Sequence, residues 1–212
     1  MGSIRAAADD LFGTRSSRRL NHLRMRSQRV ERRPIYTIDS QDRLVAANRA
    51  FIDTLPRRVV QDETELIGRS IWDFIGGVIP QQIWRVLYGR ARAFGAPIFV
   101  PLRSDDANHR RVIDVELHPA GDRSVRHVRE CVSVERRIAV ALLDPNYPRD
   151  ERELKQCAFC ARIEVKFGTW QEVEHAYVSL HLNVALTLPR LREAACESCK
   201  QSLLKTFPVR VA

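Results

Sequence analysis

The chain has 212 residues and a formal charge of +9, from 35 Lys+Arg against 26 Asp+Glu, with 44% hydrophobic and 29% charged residues. These proportions are ordinary for a folded globular protein and exclude collagen-like, low-complexity and charge-driven disordered chains. No apolar run approaches the roughly 18–20 residues of a membrane helix.

The charge is uneven along the chain. Residues 1–33 carry a net +6, residues 34–137 +2 and residues 138–212 +1. The leader, 1–33, therefore holds most of the excess, in RSSRRLNHLRMRSQRVERR. Arg15, Arg18, Arg19, Arg24 and Arg26 form a candidate phosphate-contacting arm for nucleic acid. No aromatic side chain is interleaved to stack on bases, and no helix-turn-helix pattern follows. The plainer reading is a flexible or helical leader, with Ile4, Ala8 and Leu11 at helical spacing after Ser3. The leader also lacks the apolar stretch of an export signal, so a reducing cytoplasm is expected. In that compartment paired cysteines are more often metal ligands than disulfides.

From Pro34 the pattern changes. IYTID and RLVAAN, joined by Ser40-Gln41-Asp42, read as a hairpin. Asn48 caps a short helix carrying Phe51, Ile52 and Leu55. LIGRSIWDFIGG follows, punctuated by Gly68 and Gly76-Gly77. A longer helix has Pro80 in its first turn and Gly95 at its end, with Ile79, Ile83, Val86, Leu87, Ala91 and Phe94 at helical spacing. Three alternating runs then read as strands. Their apolar sides are Ile98, Val100 and Leu102; Ile113, Val115 and Leu117; and Val128, Val132 and Val134. The result is an α+β unit over 34–137, an antiparallel sheet with helices on one face.

IYTIDSQDRLVAANRAFIDTL, LIGRSIWDFI and the closing strands together resemble PAS domains, small sensory modules that bind a ligand, a cofactor or a partner. The resemblance covers about half of the chain. It implies a signalling role, and pairing into a homodimer through helices that flank the sheet. Haem-binding members present a histidine from or near the long helix, but residues 80–95 contain none. Flavin photosensors need a reactive cysteine in an Asn-Cys-Arg motif, but residues 66–95 contain none. Neither haem nor flavin is expected, and no small-molecule ligand is named. Trp72, Phe74, Trp84 and Phe94 read as core rather than as pocket. His118 and His127 read as surface or hydrogen-bonded residues, and Cys131 as an exposed thiol.

Residues 138–154 begin apolar and become a proline-containing charged segment, which reads as a linker. Over 155–212 comes the strongest chemical signal, Cys157-Ala158-Phe159-Cys160, with Cys196-Glu197-Ser198-Cys199 following after 35 intervening residues. Each Cys-x-x-Cys pair can place two thiolates on one side of a metal, and together they complete a tetrahedron. The separation exceeds the usual 15–20 residues or so, so the insert must fold back. Thr169 and Glu172 match a capping box ahead of a helix through Trp170, Val173, Tyr177 and Leu180. A second helix is expected from Leu191 to Phe207, with Leu203, Leu204 and Phe207 packing on the first. His175 and His181 read as surface residues.

This half resembles the C-terminal arrangement of certain bacterial PAS proteins, a Cys-x-x-Cys, a Trp leading into a Val-Glu or Leu-Glu helix, and a second Cys-x-x-Cys. Cys157, Cys160, Trp170, Val173-Glu174, Cys196 and Cys199 match it. Where that family approaches its last pair through His-Gly-Ile, this chain has Glu193-Ala194-Ala195, so no histidine ligand is implied. The reading is a small helical four-cysteine module holding one structural zinc. An iron–sulfur cluster, a redox switch through zinc-bound thiolates, and free thiols remain as alternatives.

No nucleophile elbow, phosphate loop, dinucleotide fingerprint or His-Glu-x-x-His is present, and no catalytic residue is assigned. The expectation is a non-enzymatic cytoplasmic signalling protein with an unidentified protein partner. A nucleic-acid-binding regulator using the basic arm is the alternative from another class.

Overall fold

The computed structural model describes residues 33–55 and 64–205. The basic arm, Arg15, Arg18, Arg19, Arg24 and Arg26 included, lies outside them, as does Phe207.

The first unit is built on a five-stranded antiparallel sheet. Its strands are β1 (Ile35–Ile38), β2 (Leu44–Ala47), β3 (Ile98–Arg103), β4 (His109–Pro119) and β5 (Val125–Arg136), in the order β2-β1-β5-β4-β3. The hairpin turn is held by the Asp39 carboxylate, whose Oδ1 accepts from the amides of Gln41 and Arg43 at 2.8 and 2.9 Å. Asn48 does more than cap the helix α1 (Arg49–Ile52). Its Oδ1 accepts from Phe51 and from Ile35 of β1, and its amide donates to the Arg33 carbonyl. One side chain thus ties the helix start to the sheet.

Helix α2 (Val78–Phe94) covers the inner face. It ends at Gly95, whose φ of 61° is the left-handed conformation that glycine adopts without a Cβ penalty. Its buried stripe is Pro80, Ile83, Trp84, Leu87, Tyr88 and Ala91. Ile79, Val86 and Phe94, counted with the apolar face in the sequence, are exposed. A helix lying on a sheet buries one face, and the stripe containing the two larger aromatics took it. Phe94 therefore leaves the expected core set, whereas Trp84 is buried and Trp72 and Phe74 pack against the core. The inward residues of β3 and β4 are those the alternation named. On β5 the inner residues are Val125 and His127, and Val132 and Val134 are exposed. A bulge opposite Val112/Ile113 breaks the period there.

The second unit is a four-stranded sheet in the order β8-β7-β6-β9, with two helices. Its strands are β6 (Arg149–Cys157), β7 (Ile163–Lys166), β8 (Thr169–Gln171) and β9 (Leu188–Ala194), and its helices α3 (Val173–Ser179) and α4 (Glu197–Lys205). The module is thus half sheet, where only helices were expected. The expected linker, 138–154, is also structural. Val140 and Leu142 plug the second core, and β6 starts at Arg149. The Arg149 guanidinium donates to the carbonyls of Leu142, Asp144 and Pro189 and fixes the chain there. The capping box does not form. Thr169 lies in β8, and Glu172, at the start of α3, sends its carboxylate to Arg103 and Arg162 instead. Residues 191–194, read as helix, belong to β9, where the alternate Arg190 and Arg192 pair with Glu151 and Glu153 of β6.

The two units pack against each other. Arg90 of α2 donates to the carbonyls of Leu203 and Leu204 at the end of α4. Gly77, with φ 75°, lies so close to Glu193 that a Cβ would collide with its carbonyl oxygen. On the other flank Arg103 binds Asp105 and reaches Glu172, while Arg137 bridges Asp105 and Glu174.

Candidate metal centre

Strand pairing brings the two knuckles together. β6 and β9 are parallel, with Cys157 opposite Ala194. Both strands therefore end at the same edge, and the residues just beyond them meet. A parallel pair requires a crossover of a dozen residues or more. That is why the two pairs are farther apart in sequence than in a simple zinc ribbon. The insert of β7, β8 and α3 is the crossover.

The first knuckle is a tight turn closing the β6–β7 hairpin. The Ala161 amide donates to the Cys157 carbonyl at 2.9 Å, and the Cys157 amide to the Arg162 carbonyl at 2.8 Å. Ala161 takes φ 62° to turn the chain. Ala158 donates to Ala194 at 2.9 Å, which locks this knuckle to the approach of the second. Cys196 precedes α4, and its carbonyl accepts from Lys200, so Cys196 and Cys199 occupy the first turn of the helix. A helix N-terminus favours negative charge and stabilises thiolates.

The four sulfurs, Cys157, Cys160, Cys196 and Cys199, lie within 4.8 Å of one another. Cys160 Sγ and Cys196 Sγ are 3.7 Å apart. A tetrahedron with metal–sulfur bonds of about 2.3 Å has sulfur–sulfur edges of about 3.8 Å, whereas a disulfide needs about 2.05 Å. The donor set thus fits one ion at its centre. Cys157 and Cys196 are buried, Cys160 and Cys199 half-buried. Two amides point at sulfur, Cys196 N to Cys157 Sγ and Cys199 N to Cys196 Sγ, each at 3.4 Å. Four thiolates cannot ionise side by side without a cation. Contacts from Cys160, Cys196 and Cys199 pull the Cys157 thiol down, while the contacts with Cys157 push Cys160 and Cys199 up. A divalent ion would remove that conflict.

His175 and His181 are exposed and lie outside this cluster. Cys131 is exposed on β5 and outside it too. His118 is half-exposed and bonds Glu116 at 2.7 Å. His127 is buried, with its Nδ1 2.8 Å from the Tyr36 hydroxyl and 3.0 Å from that of Tyr88, and the two hydroxyls are 2.6 Å apart. Burial, with the nearby Arg129 charge, holds this histidine well below its ordinary pKa.

Sequence reasoning missed two features around the centre. One is Phe159, between the first two ligands. It is 3% exposed, belongs to the first unit's core and sits 5.8 Å from the Trp84 ring. The only signal was a large aromatic residue inside a knuckle of otherwise small side chains, Cys157-Ala158-Phe159-Cys160. The other is the ionic clamp beside it. Burial pushes the carboxyls of Glu172 and Glu174 up, but Arg103 and Arg162 on the first, and its own backbone amide with Arg137 and Arg110 on the second, outweigh it and leave both below the ordinary value.

Among the described residues no helix is long and apolar enough to cross a membrane. No family model matches the chain, and no curated protein does. Solved structures do. The chain is similar to the PAS domain of BvgS from Bordetella pertussis at 19% identity, over 54% of this chain and 86% of that one, with a TM-score of 0.34. It is similar to a sensory box sensor histidine kinase from Vibrio cholerae at 11% identity, over 58% and 100%, with a TM-score of 0.36. The PAS domain of an HTR-like protein from Haloarcula marismortui matches at 18%, over 55% and 99%, with a TM-score of 0.30. The first unit has the architecture that the sequence resemblance implies, an antiparallel sheet with helices on one face.

Proposed function

We propose that this chain is a non-enzymatic cytoplasmic signalling protein, in which a PAS-like unit is held against a structural zinc centre and acts by docking a protein partner. The observation that carries the zinc reading is the closed donor set. All four ligand positions are thiolates within 4.8 Å of one another, so none is left open for water or substrate. An all-sulfur tetrahedron selects zinc or iron among common metals, and zinc supplies charge and geometry there without redox chemistry. The rest is done by the chain. β6 and β9 present the knuckles, two amides hold the sulfurs, and Phe159 and Leu203 carry the centre into the core of the first unit.

A sensory role is supported by the sequence resemblance and by the α+β architecture that goes with it. Homodimer formation is part of the proposal. Elemental analysis of the purified chain tests the centre, with about one zinc per chain expected for a closed four-cysteine site. Cys157→Ser and Cys199→Ser each lower that content sharply. Full retention of metal in both variants overturns the four-cysteine assignment.

A further inference from the structure

Phe159 is placed as no other residue of the centre is. Its two neighbours along the knuckle are Ala158, bonded to Ala194, and the ligand Cys160, with Cys157 one residue further back. Its carbonyl accepts from the amide of Arg103 in β3 at 2.8 Å, extending the edge of the first sheet. Its ring lies on Trp84, at 36° between planes. Trp84 in turn stacks on Tyr88 at 5.9 Å and lies 5.4 Å from the His127 ring, inside the buried Tyr36–Tyr88–His127 cluster. An unbroken line of packed rings therefore runs from the metal ligands to the centre of the first unit.

Two facts make that line a coupling rather than plain packing. Phe159 lies between Cys157 and Cys160, so a metal held by both would fix its backbone from either side, and without metal nothing but contacts between thiols ties the knuckle to the second pair. At the other end, His127 Nε2 is buried with no hydrogen-bond partner. Whichever tautomer is present, the closed core leaves one ring nitrogen unsatisfied, and water entering the cluster would satisfy it. The sealed arrangement is thus opposed at its inner end and depends on the knuckle being tied at the other.

We propose that Phe159 transmits metal occupancy to the core of the first unit. With metal bound, Phe159 is held on Trp84 and seals the aromatic cluster. With metal released, Phe159 leaves and α2 and β3 loosen around the Trp84–Tyr88–His127 cluster. This rests on the metal-centre reading above.

The test is hydrogen exchange on the full chain, with metal content measured alongside. Chelation of the wild type raises exchange in peptides covering α2 and β3 by about tenfold, while β2, at the far edge of the sheet, stays within about twofold. In Phe159→Ala with metal still bound, α2 and β3 already exchange at the raised rate, and chelation adds little. If that variant does not fold, Phe159→Leu keeps the bulk and loses the ring; in its metal-bound form α2 and β3 still exchange faster than wild type. Metal loss with unchanged α2 and β3 overturns the coupling and leaves the metal centre standing. So does an equal rise in β2, which marks global unfolding, or a full chelation response in Phe159→Ala. Equality of Phe159→Leu with wild type also overturns it. Purified wild type that binds no metal overturns the metal centre itself, and the coupling with it.

Discussion

The two units build their interiors by different means. The first closes a core of its own between sheet and helix, with Ile38, Leu44, Leu66, Ile71, Ile83, Leu87, Val100 and Leu117 fully buried. The second has seven buried residues in its own core, Val140, Leu142, Ile163, Val173, Ala176, Leu182 and Leu188. Its opposite end, with Cys157, Phe159, Cys196 and Leu203, belongs to the core of its neighbour. A unit this small buries too little apolar surface to stand by itself and needs a staple. Here the shared rings and the ionic clamp serve, and the four cysteines would add a third with a metal bound. The difference teaches that the second unit is stabilised from outside its own core, and the clamp offers the most direct way to break that dependence.

The Asp105 side chain is fully buried and that of Arg137 is 7% exposed, and Arg137 also holds Glu174 of α3. Removing Arg137 leaves Asp105 to Arg103 and Glu174 to Arg110, so neither carboxylate is stranded, but the bonds of Arg137 to both are lost. Arg137→Leu is expected to cost about 1.5–3 kcal/mol of stability by urea unfolding. The loss should fall on the second unit first, read as early exposure of Trp170. A cost under about 1 kcal/mol, as for an exposed pair, would mean that the units do not depend on the clamp.

The comparison also separates the units by pH. His127 is a buried histidine in the first unit, whereas the seven buried residues of the second core include none. Burial keeps His127 neutral in the folded state well below its ordinary value of 6.5, while the unfolded chain takes up the proton at that pH. Stability is therefore full above 6.5 and falls as the pH drops below it, by about 1.4 kcal/mol per pH unit for this group. In His127→Phe the Tyr36 and Tyr88 hydroxyls can still pair with each other. Its stability should decline less steeply between pH 6.5 and 5, by that same slope. Parallel curves for wild type and variant would sink the assignment of His127 as neutral and buried.

Legibility in the sequence followed the same division. The first unit was readable because its signals are local. Alternation marked the strand faces of β3 and β4, Asn48 announced a cap, and Gly95 announced a helix end. What failed there was a choice between overlapping apolar stripes on α2, which only the sheet beneath could decide, and the face of β5 past its bulge, where Val132 and Val134 are exposed. The second unit was readable in its four cysteines, which the structure brings together, because two Cys-x-x-Cys pairs suggest a shared cluster without a fold. Its strands were not, because β6 and β9 pair in parallel across the crossover, and no local pattern records the partner. The charges of β6 read as a linker and those of β9 as the polar side of a helix. Phe159 was invisible as a contact for the same reason, since its partner Trp84 lies in the other unit.

Those charges give the smallest and most pointed test. Arg190 and Arg192 on β9 face Glu151 and Glu153 on β6, at 3.2 and 3.5 Å, and all four side chains are more than half exposed. Exposed pairs contribute about 0–1 kcal/mol. Replacing Arg192 with Ala is therefore expected to change the unfolding midpoint slightly and, on the proposed metal centre, leave metal content at the wild-type level. Replacing Arg190 and Arg192 together with Glu sets like charges opposite each other along the parallel pair. It should weaken pairing without touching a ligand. A one-residue slip of β9 would turn its apolar residues outward and move Cys196 away from Cys157. If the double variant loses the metal that wild type binds while Arg192→Ala keeps it, the charges hold the register that assembles the centre. If both keep it, the register is held by Leu188 and the knuckle alone, and the charges only keep the strands in water.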